Sequence, residues 1–472
     1  MDQALSRLPS LRTRLPGLLA TLEAGLVERR PIVRLCLLTA LAGEHSLLIG
    51  PPGTAKSELA RRLHAIFRDA RYFERLLTRF SVPEELFGPL SIRALEEDRY
   101  ERHTAGFLPD ASVAFIDEVF KANSAILNAL LTLLNDREFD NGDGRQRCPL
   151  ISAIGATNEV PEDEVAEAFF DRFLTRIPVD SVSSAAFSAL LRTDVAAAWK
   201  APVREDTLAA EDLASLTAAA ATVTLPENVI TSLAELRSQF VADQVYVSDR
   251  RWVKIVALLR VAAASDGRDS VAPWDLLLLP WITAPDAARQ EKVAAWLQNR
   301  LGVREAFSPP RLTRVVEAFQ AQLDAELQAN DLDYDDSGRL RFSAEQVADQ
   351  IGDAKGGAGA LRMTYARKRR YGDCHIGART AQIDDLIRRI DTYSEELAGQ
   401  RRELAAYRAV SLWLDEALAE RVDRHLAATA EVIAGLRQRA LDTRAGFVNL
   451  PRLPEDDGRI PERVDHESLD AA

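Results

Sequence analysis

Short apolar runs alternate with helical patterns in the first part of the chain. The run Ser46–Ile49 ends in a loop rich in glycine and proline, and a helical pattern follows that loop. Two further short apolar runs, Ser112–Ile116 and Pro149–Gly155, flank a helical segment at Ala125–Leu134. Strands that alternate with helices are typical of a parallel sheet covered by helices. Residues 1–190 are therefore predicted to form one α/β domain.

The pattern changes after residue 190, where apolar positions follow helical spacing and little resembles a strand. Segments rich in alanine and leucine, such as Val229–Phe240 and Arg251–Ala264, show this spacing. We predict a small all-helical domain over residues 191–300.

Long helices are predicted over residues 301–450, because no proline occurs between Pro310 and Pro451. Residues 331–376 are richer in glycine and aspartate, which predicts a small insertion in this helical region. The composition of residues 451–472 is that of a disordered tail.

Apolar residues recur every seven positions near the C-terminus. The repeat consists of Ile383, Ile390, Leu397 and Leu404, with Leu386, Tyr393 and Tyr407 at the companion positions. A heptad repeat can form a coiled-coil-like hairpin arm with Val410–Leu436. The alternative is that these residues pack a helical domain, since three to four heptads are the minimum for a coiled coil.

Composition indicates a soluble, folded protein of ordinary apolar content, 47%. A formal net charge of −13 disfavours broad attraction to nucleic acid or anionic lipid. The cysteines Cys36, Cys148 and Cys374 suggest neither a disulfide framework nor a metal site, which fits a reducing cytoplasm. We expect no export signal and no membrane span, because no apolar run is long enough.

The segment GPPGTAKS matches the spacing of a phosphate-binding P-loop, except that an alanine stands at the usual second glycine. In such a loop backbone N–H groups surround the phosphates, the lysine contacts the β- and γ-phosphates, and the final hydroxyl is a ligand of Mg²⁺. A plain strand–helix connection is the alternative. The predicted nucleotide-binding residues are Gly50, Pro51, Pro52, Gly53, Thr54, Ala55, Lys56 and Ser57.

Two carboxylates follow the second apolar run directly. Asp117 and Glu118 emerge at the carboxyl edge of the predicted sheet, where ligands bind in doubly wound folds. We expect Asp117 to hold the hydrated Mg²⁺ and Glu118 to orient and polarise the water that attacks the γ-phosphate.

Two further polar residues are candidates for the same chemistry. Asn158 directly follows the third predicted strand, where its amide could fix the attacking water or a phosphate oxygen, although asparagine is also a common turn former. Arg172 lies in Phe170–Phe173 and could stabilise transition-state charge at a neighbouring subunit's nucleotide. The alternative for Arg172 is an intramolecular salt bridge.

These motifs, in this order, resemble the AAA+ ATPases of the MoxR group. Stretches such as LLIGPPGTAKSELARRL, TRFSVPEELFGPLSIRAL and ATNEVPE are similar to the RavA branch (regulatory ATPase variant A), and the resemblance covers about residues 5–285. It implies a P-loop AAA+ core with an all-α lid. It assigns the Walker A and Walker B roles to the loop and the acidic pair, sensor 1 to Asn158, the arginine finger to Arg172 and sensor 2 to Arg250, with Arg251 as the fallback.

The resemblance also implies cofactors and partners. ATP, Mg²⁺ and a homo-oligomeric ring, a hexamer, are expected, together with a protein containing a von Willebrand factor A (vWA) domain. Two inserted hairpins near Ser91–Thr104 and Phe139–Cys148 are candidate substrate-handling loops. Residues 331–376 are short for the module with which RavA-like proteins bind a lysine decarboxylase, so that partner is not carried over.

Three functions follow from these observations. The first is an ATP-driven machine that remodels or chaperones a protein partner. The second is a nucleic-acid motor, whose local support is the basic run Arg367–Arg370. The third is a scaffold that ATP binding regulates while hydrolysis is slow.

Overall fold

Five parallel strands form the central sheet of the computed structural model, which describes residues 7–142, 144–158, 164–194, 198–332, 366–456 and 458–469. The strands are β1 His45–Ile49, β2 Tyr72–Leu76, β3 Val113–Asp117, β6 Ser152–Thr157 and β7 Phe173–Pro178, in the order β2-β3-β6-β1-β7. The predicted α/β fold with a parallel sheet is confirmed, and the apolar runs that predicted it overlap β1, β3 and β6.

Helices cover the sheet and build the rest of the described residues. In the first 194 residues they are α1 Leu8–Glu23, α2 Arg30–Leu41, α3 Lys56–Ala65, α4 Glu84–Phe87, α5 Ile92–Glu96, α6 Ser124–Asp136, α7 Glu164–Phe170 and α8 Phe187–Arg192. The later helices are α9 Ala210–Thr222, α10 Glu227–Ala242, α11 Asp249–Asp266, α12 Leu279–Thr283, α13 Ala287–Arg300, α14 Pro309–Gln328, α15 Asp373–Val410 and α16 Glu416–Val448.

The sheet packs an apolar core against α6 and α7. Strand β3 is buried along Val113–Ile116, and its neighbour β6 is buried throughout. Helix α6 adds Ile126, Leu130 and Leu133 to the same cluster. Because both faces of these strands are covered, polar residues gather where the strands end.

The two predicted inserts lie against each other. The second is an antiparallel hairpin of β4 Glu138–Asn141 and β5 Gly144–Arg147, whereas the first contains the short helix α5. The Asn141 side chain accepts from Arg102 N at 2.6 Å and donates to Arg102 O at 3.2 Å. One amide thus fixes the backbone of the first insert to the tip of the second.

The chain divides into two compact units. The first comprises residues 1–301 and 404–421, and the second comprises residues 302–403 and 422–472. The tip of the α15–α16 hairpin thus belongs to the first unit, where Trp413 Nε1 donates to Ser265 Oγ at 2.8 Å and Tyr407 Oη donates to Asp275 Oδ1 at 2.6 Å. The sequence pattern gave no indication of this attachment.

In the second unit α14, α15 and α16 pack together. The predicted heptad positions Ile383, Ile390 and Leu397 are completely buried. On α16, Gly446 faces α14, where an added Cβ would lie 2.3 Å from Leu323 Cδ2. The third helix favours the alternative in which the heptad residues pack a helical domain.

Two further predicted regions fall in the second unit. Of the predicted insertion 331–376, residues 333–365 lie outside the described residues, and β8 Asn330–Leu332 pairs with β9 Ala366–Lys368. Part of the segment predicted to be a disordered tail makes defined contacts: Val464 N donates to Gln382 at 3.1 Å. Among the described helices, none combines the length and apolarity needed to cross a membrane.

Candidate nucleotide-binding site

The predicted P-loop follows β1, the strand that lies between β6 and β7 in the sheet. Gly50 N donates to Thr157 O at 2.9 Å, and a Cβ at Gly50 would lie 2.2 Å from Val179 O. No real Cβ tolerates that approach, so the first residue of the loop must be glycine. The loop is therefore held at the carboxyl edge of the sheet.

Ala55 occupies the position at which the motif usually has glycine. Its φ of 68° and ψ of 24° are left-handed, and helix α3 begins at the next residue. The left-handed conformation costs an alanine about 1 kcal/mol, and this loop adopts it nevertheless. A left-handed residue directly before a helix turns consecutive N–H groups toward one point, which is the geometry that binds phosphate.

Lys56 lies inside the loop. Its Nζ donates to Gly50 O at 2.6 Å and to Pro51 O at 2.8 Å, and the residue is 8% exposed. Burial lowers the pKa of Lys56, while the charges of Asp117 and Glu118 act in the opposite direction. The ammonium is thus already positioned where a phosphate would bind.

Arg29 holds the P-loop through backbone carbonyl groups, and sequence analysis did not identify it as a site residue. Its Nε donates to Thr54 O at 3.2 Å, and its Nη2 donates to Asp180 O at 2.7 Å. Burial lowers the pKa of this guanidinium. Nothing in the local spacing points to Arg29, because its partners lie far away in the chain.

The acidic pair stands at the end of β3, at the same edge as the loop. Glu118 has a left-handed φ of 51°, and its N–H donates to Asp117 Oδ1 at 3.0 Å. Burial raises the pKa of Asp117 above its ordinary value. A cation beside Asp117 would offset that burial, and the Ser57 hydroxyl and Asp117 carboxylate are the oxygen donors that Mg²⁺ takes. The residues present therefore fit this ion.

The Glu118 carboxylate is held from two sides. Asn158 Nδ2 donates to Glu118 Oε1 at 2.6 Å, and Lys121 Nζ lies 3.3 Å from Glu118 Oε2. Sequence analysis proposed Asn158 but missed Lys121, although its position one turn after Glu118 could have indicated it. The structure therefore brings the lysine loop, the acidic pair and Asn158 to one sheet edge.

Arg172 lies at the opposite edge of the sheet. It directly precedes β7, whose first residue Phe173 pairs with His45, the first residue of β1. The chain's own P-loop follows the other end of β1, about 16 Å away at ~3.3 Å per strand residue. The Arg172 side chain is 21% exposed, and its Nη1 lies 3.9 Å from Asp171 Oδ2. Its Nε has no hydrogen-bond partner among the residues that the structure describes. The competing intramolecular salt bridge is therefore long.

The sensor 2 candidates differ in exposure. Arg250 is exposed in the first turn of α11. The next residue, Arg251, is 3% exposed, and its guanidinium donates to Phe173 O, Leu174 O and other partners. Arg251 is thus fully engaged in joining α11 to β7, so Arg250 remains the candidate.

Two family models match the chain. One describes the MoxR domain in the MoxR-vWA-beta-propeller ternary systems and matches residues 13–218, and the other describes an AAA lid domain and matches residues 228–297. An uncharacterized protein of Methanocaldococcus jannaschii is 39% identical over 281 residues, which are 59% of this chain and 70% of the relative. The chain belongs to the MoxR-type AAA+ ATPases.

Two further proteins are similar to this chain. A second uncharacterized protein of Methanocaldococcus jannaschii is 40% identical over 259 residues, 55% of this chain and 68% of that relative. The crystal structure of a protein from Cytophaga hutchinsonii, described as a candidate ATPase, aligns with a TM-score of 0.50 and 17% identity. That alignment covers 62% of this chain and 93% of the other, and at this identity it shows the shared fold alone.

For a MoxR-type AAA+ ATPase, Lys56 is the residue on which nucleotide binding should depend most. Lys56→Ala removes the buried ammonium that would donate to the phosphates. Because a hydrogen bond to a charged group contributes ~1.5–3 kcal/mol, its loss should weaken ATP binding by about 10- to 100-fold. Binding of a fluorescent ATP analogue measures the change. Lys200→Ala, at an exposed position, is the matched control, and equal loss of affinity in both variants would contradict the role.

Proposed function

We propose that this chain hydrolyses ATP and uses the energy to remodel a protein partner. The arrangement of Glu118 supports the proposal most directly: its carboxylate is held by Asn158 and Lys121 at the sheet edge that carries the Lys56 loop. A binding module without turnover would not need a carboxylate fixed in this way. A scaffold with slow hydrolysis stays an alternative that turnover measurements decide.

Each residue has a separate task in this mechanism. The N–H groups of the loop and Lys56 bind the phosphates, and Glu118 takes up or polarises the proton of the attacking water. Asn158 keeps Glu118 oriented and can bind a phosphate oxygen. Ser57 and Asp117 would hold Mg²⁺, which when bound would supply neutralisation of the developing phosphate charge.

The position of Arg172 supports a ring. Its guanidinium lies at the amino edge of the sheet, away from the chain's own loop, which favours a role at a nucleotide on another subunit. A closed ring gives every subunit such a neighbour. We propose the hexamer that the motif resemblance implies, and the finger turn, residues 171–172, as its contribution to the adjacent site.

A vWA-domain protein is the partner we propose. The matching family model is described by systems that contain such a protein. The packed inserts, residues 91–104 and 139–148, are the proposed contact region for the protein substrate. We also assign the chain to the RavA branch of the MoxR group, because its motif sequences are similar to those of that branch.

A trapped complex tests this function. Glu118→Gln protein should retain a vWA-domain partner in the presence of ATP, because nucleotide binds but is not hydrolysed. Lys56→Ala protein, treated identically, should release it. Equal retention by both variants would contradict an ATP-dependent interaction, and salt-dependent retention of DNA by Glu118→Gln would favour the nucleic-acid motor.

Removal of residues 333–365 should leave ATP hydrolysis unchanged. Leu332 lies opposite Ala366 in the β8–β9 pair, so a short Gly-Ser turn can join them. The proposed nucleotide-site residues all belong to the first unit, whereas β8 and β9, which flank this segment in the chain, belong to the second. Steady-state phosphate release measures the effect, and loss of hydrolysis in a folded deletion variant would contradict the assignment of catalysis to the first unit.

A further inference from the structure

One carboxylate contacts three guanidiniums at the amino edge of the sheet. Asp171 Oδ1 lies 3.2 Å from Arg251 Nη1 and 3.4 Å from Arg176 Nη2, and Asp171 Oδ2 lies 3.9 Å from Arg172 Nη1. Ser248 Oγ, at the start of the lid helix α11, donates to Asp171 Oδ2 at 3.5 Å. The residue before the proposed arginine finger is therefore attached to the lid.

Arg251 makes this attachment rigid. Its Nη1 also donates to the Asp171 carbonyl at 3.3 Å, its Nη2 donates to Leu174 O at 2.5 Å, and its Nε donates to Ile282 O at 2.7 Å. Burial lowers the pKa of Arg251 to about 10, so the guanidinium keeps its charge at neutral pH. A single buried side chain thus joins the finger turn, strand β7 and two lid helices.

Asp171 offsets repulsion between two buried cations. Arg176 is 6% exposed and stacks on the Phe170 ring, 4.1 Å from the ring centroid. Burial, and then the charge of Arg251, lower the pKa of Arg176. Without the carboxylate, Arg176 and Arg251 would repel each other, and the finger turn would lose its link to α11.

We propose that Asp171 is a positioning residue that fixes Arg172 for the nucleotide of the adjacent subunit by fastening the finger turn to the lid. This inference rests on the proposed role of Arg172 at the neighbouring site. Arg250, exposed in the first turn of α11, is presented from the same rigid unit.

The first test compares two conservative variants of the full chain. Asp171→Asn should lower kcat by about 10- to 100-fold, the cost of misplacing a catalytic group by about 1 Å, with an unchanged KM for ATP. Asp249→Asn removes a carboxylate from the same end of α11 that pairs with Arg237 at 3.1 Å, and it should leave kcat unchanged. An unaffected kcat in Asp171→Asn, or a raised KM alone, would overturn the inference.

The second test shows on which subunit Asp171 acts. Asp171→Asn subunits are mixed with an excess of Lys56→Ala subunits, which cannot bind nucleotide well but carry an intact finger turn. Turnover is expressed per subunit with an intact P-loop. In these mixtures it should rise to the value that wild-type subunits show when they are mixed with the same excess of Lys56→Ala subunits. A purely structural defect at the subunit's own site would persist in such rings.

Arg172→Ala subunits, mixed with the same excess of Lys56→Ala subunits, separate the proposed role of Asp171 from the proposed role of Arg172. Rescue of Arg172→Ala without rescue of Asp171→Asn overturns the role of Asp171 and leaves the finger intact, whereas failure of both rescues overturns the finger itself. If thermal melting shows that Asp171→Asn does not fold, Arg251→Lys replaces it, since lysine keeps the buried charge but loses the fork that grips the turn. Turnover of Arg251→Lys subunits should likewise recover on mixing with Lys56→Ala subunits. If it does not recover while that of Arg172→Ala does, the role of Asp171 is overturned.

Discussion

Glu118→Gln should lower kcat for ATP by about 10²- to 10⁴-fold, the usual contribution of a general base, while ATP affinity stays near that of the wild type. Glutamine keeps an acceptor for Asn158, whose amide lies 2.6 Å from Glu118 Oε1, but it cannot take up a proton from water. Single-turnover hydrolysis and equilibrium binding of ATP measure the two quantities separately.

The control for this variant is Glu211→Gln, at an exposed position at the start of α9. It should match the wild type in both measurements. If Glu118→Gln lost affinity and turnover to the same extent, Glu118 would be a binding residue, and the division of tasks between Lys56 and Glu118 would be wrong.

Arg172→Ala should reduce turnover by about 10³- to 10⁵-fold, as loss of an arginine finger does in other phosphoryl-transfer systems. ATP affinity should change little, because the arginine lies at the sheet edge opposite its own P-loop. Arg192→Ala, an exposed arginine at the end of α8, should keep full turnover. A large loss of affinity in Arg172→Ala would mean that the arginine acts on its own subunit's nucleotide.

The nucleotide loop and the sheet could be predicted because their signals are local. The strands that end in Ile49, Asp117 and Thr157 each overlap a predicted apolar run, and the polar residues of the motifs lie at or directly after these strand ends. The family match of residues 13–218 is carried by the same stretch. Local sequence was sufficient wherever one strand and its following loop decide the chemistry.

The arrangement around Arg250 and Arg251 shows where local reasoning was incomplete. Adjacent helical residues point about 100° apart, so Arg250 and Arg251 can have different surroundings. Arg251 shares a face with Ile255, Leu258 and Ala262, all of them buried, and this periodicity could have assigned Arg251 to the interior. Its partners on β7 could not have been predicted, since they lie 77 and 78 residues away in the chain.

Contacts between segments that are distant in sequence account for the other features that sequence analysis did not predict. Arg29 under the P-loop, the hairpin tip at Trp413 and the ordered stretch around Val464 each depend on partners far away in sequence. Composition predicted disorder for the last of these because its residues are mostly polar. Hydrogen bonds to Gln382 and Arg379 hold it nevertheless.

The most direct test of the account is to mix two inactive proteins. Lys56→Ala subunits lack a working P-loop but carry Arg172, and Arg172→Ala subunits carry a working P-loop but lack the finger. In rings shown by native mass spectrometry to contain both, some interfaces combine an intact loop with an intact arginine, so ATP hydrolysis should reappear. No recovery of hydrolysis in such mixed rings, or full activity of an isolated wild-type monomer, would contradict an active site shared between neighbouring subunits.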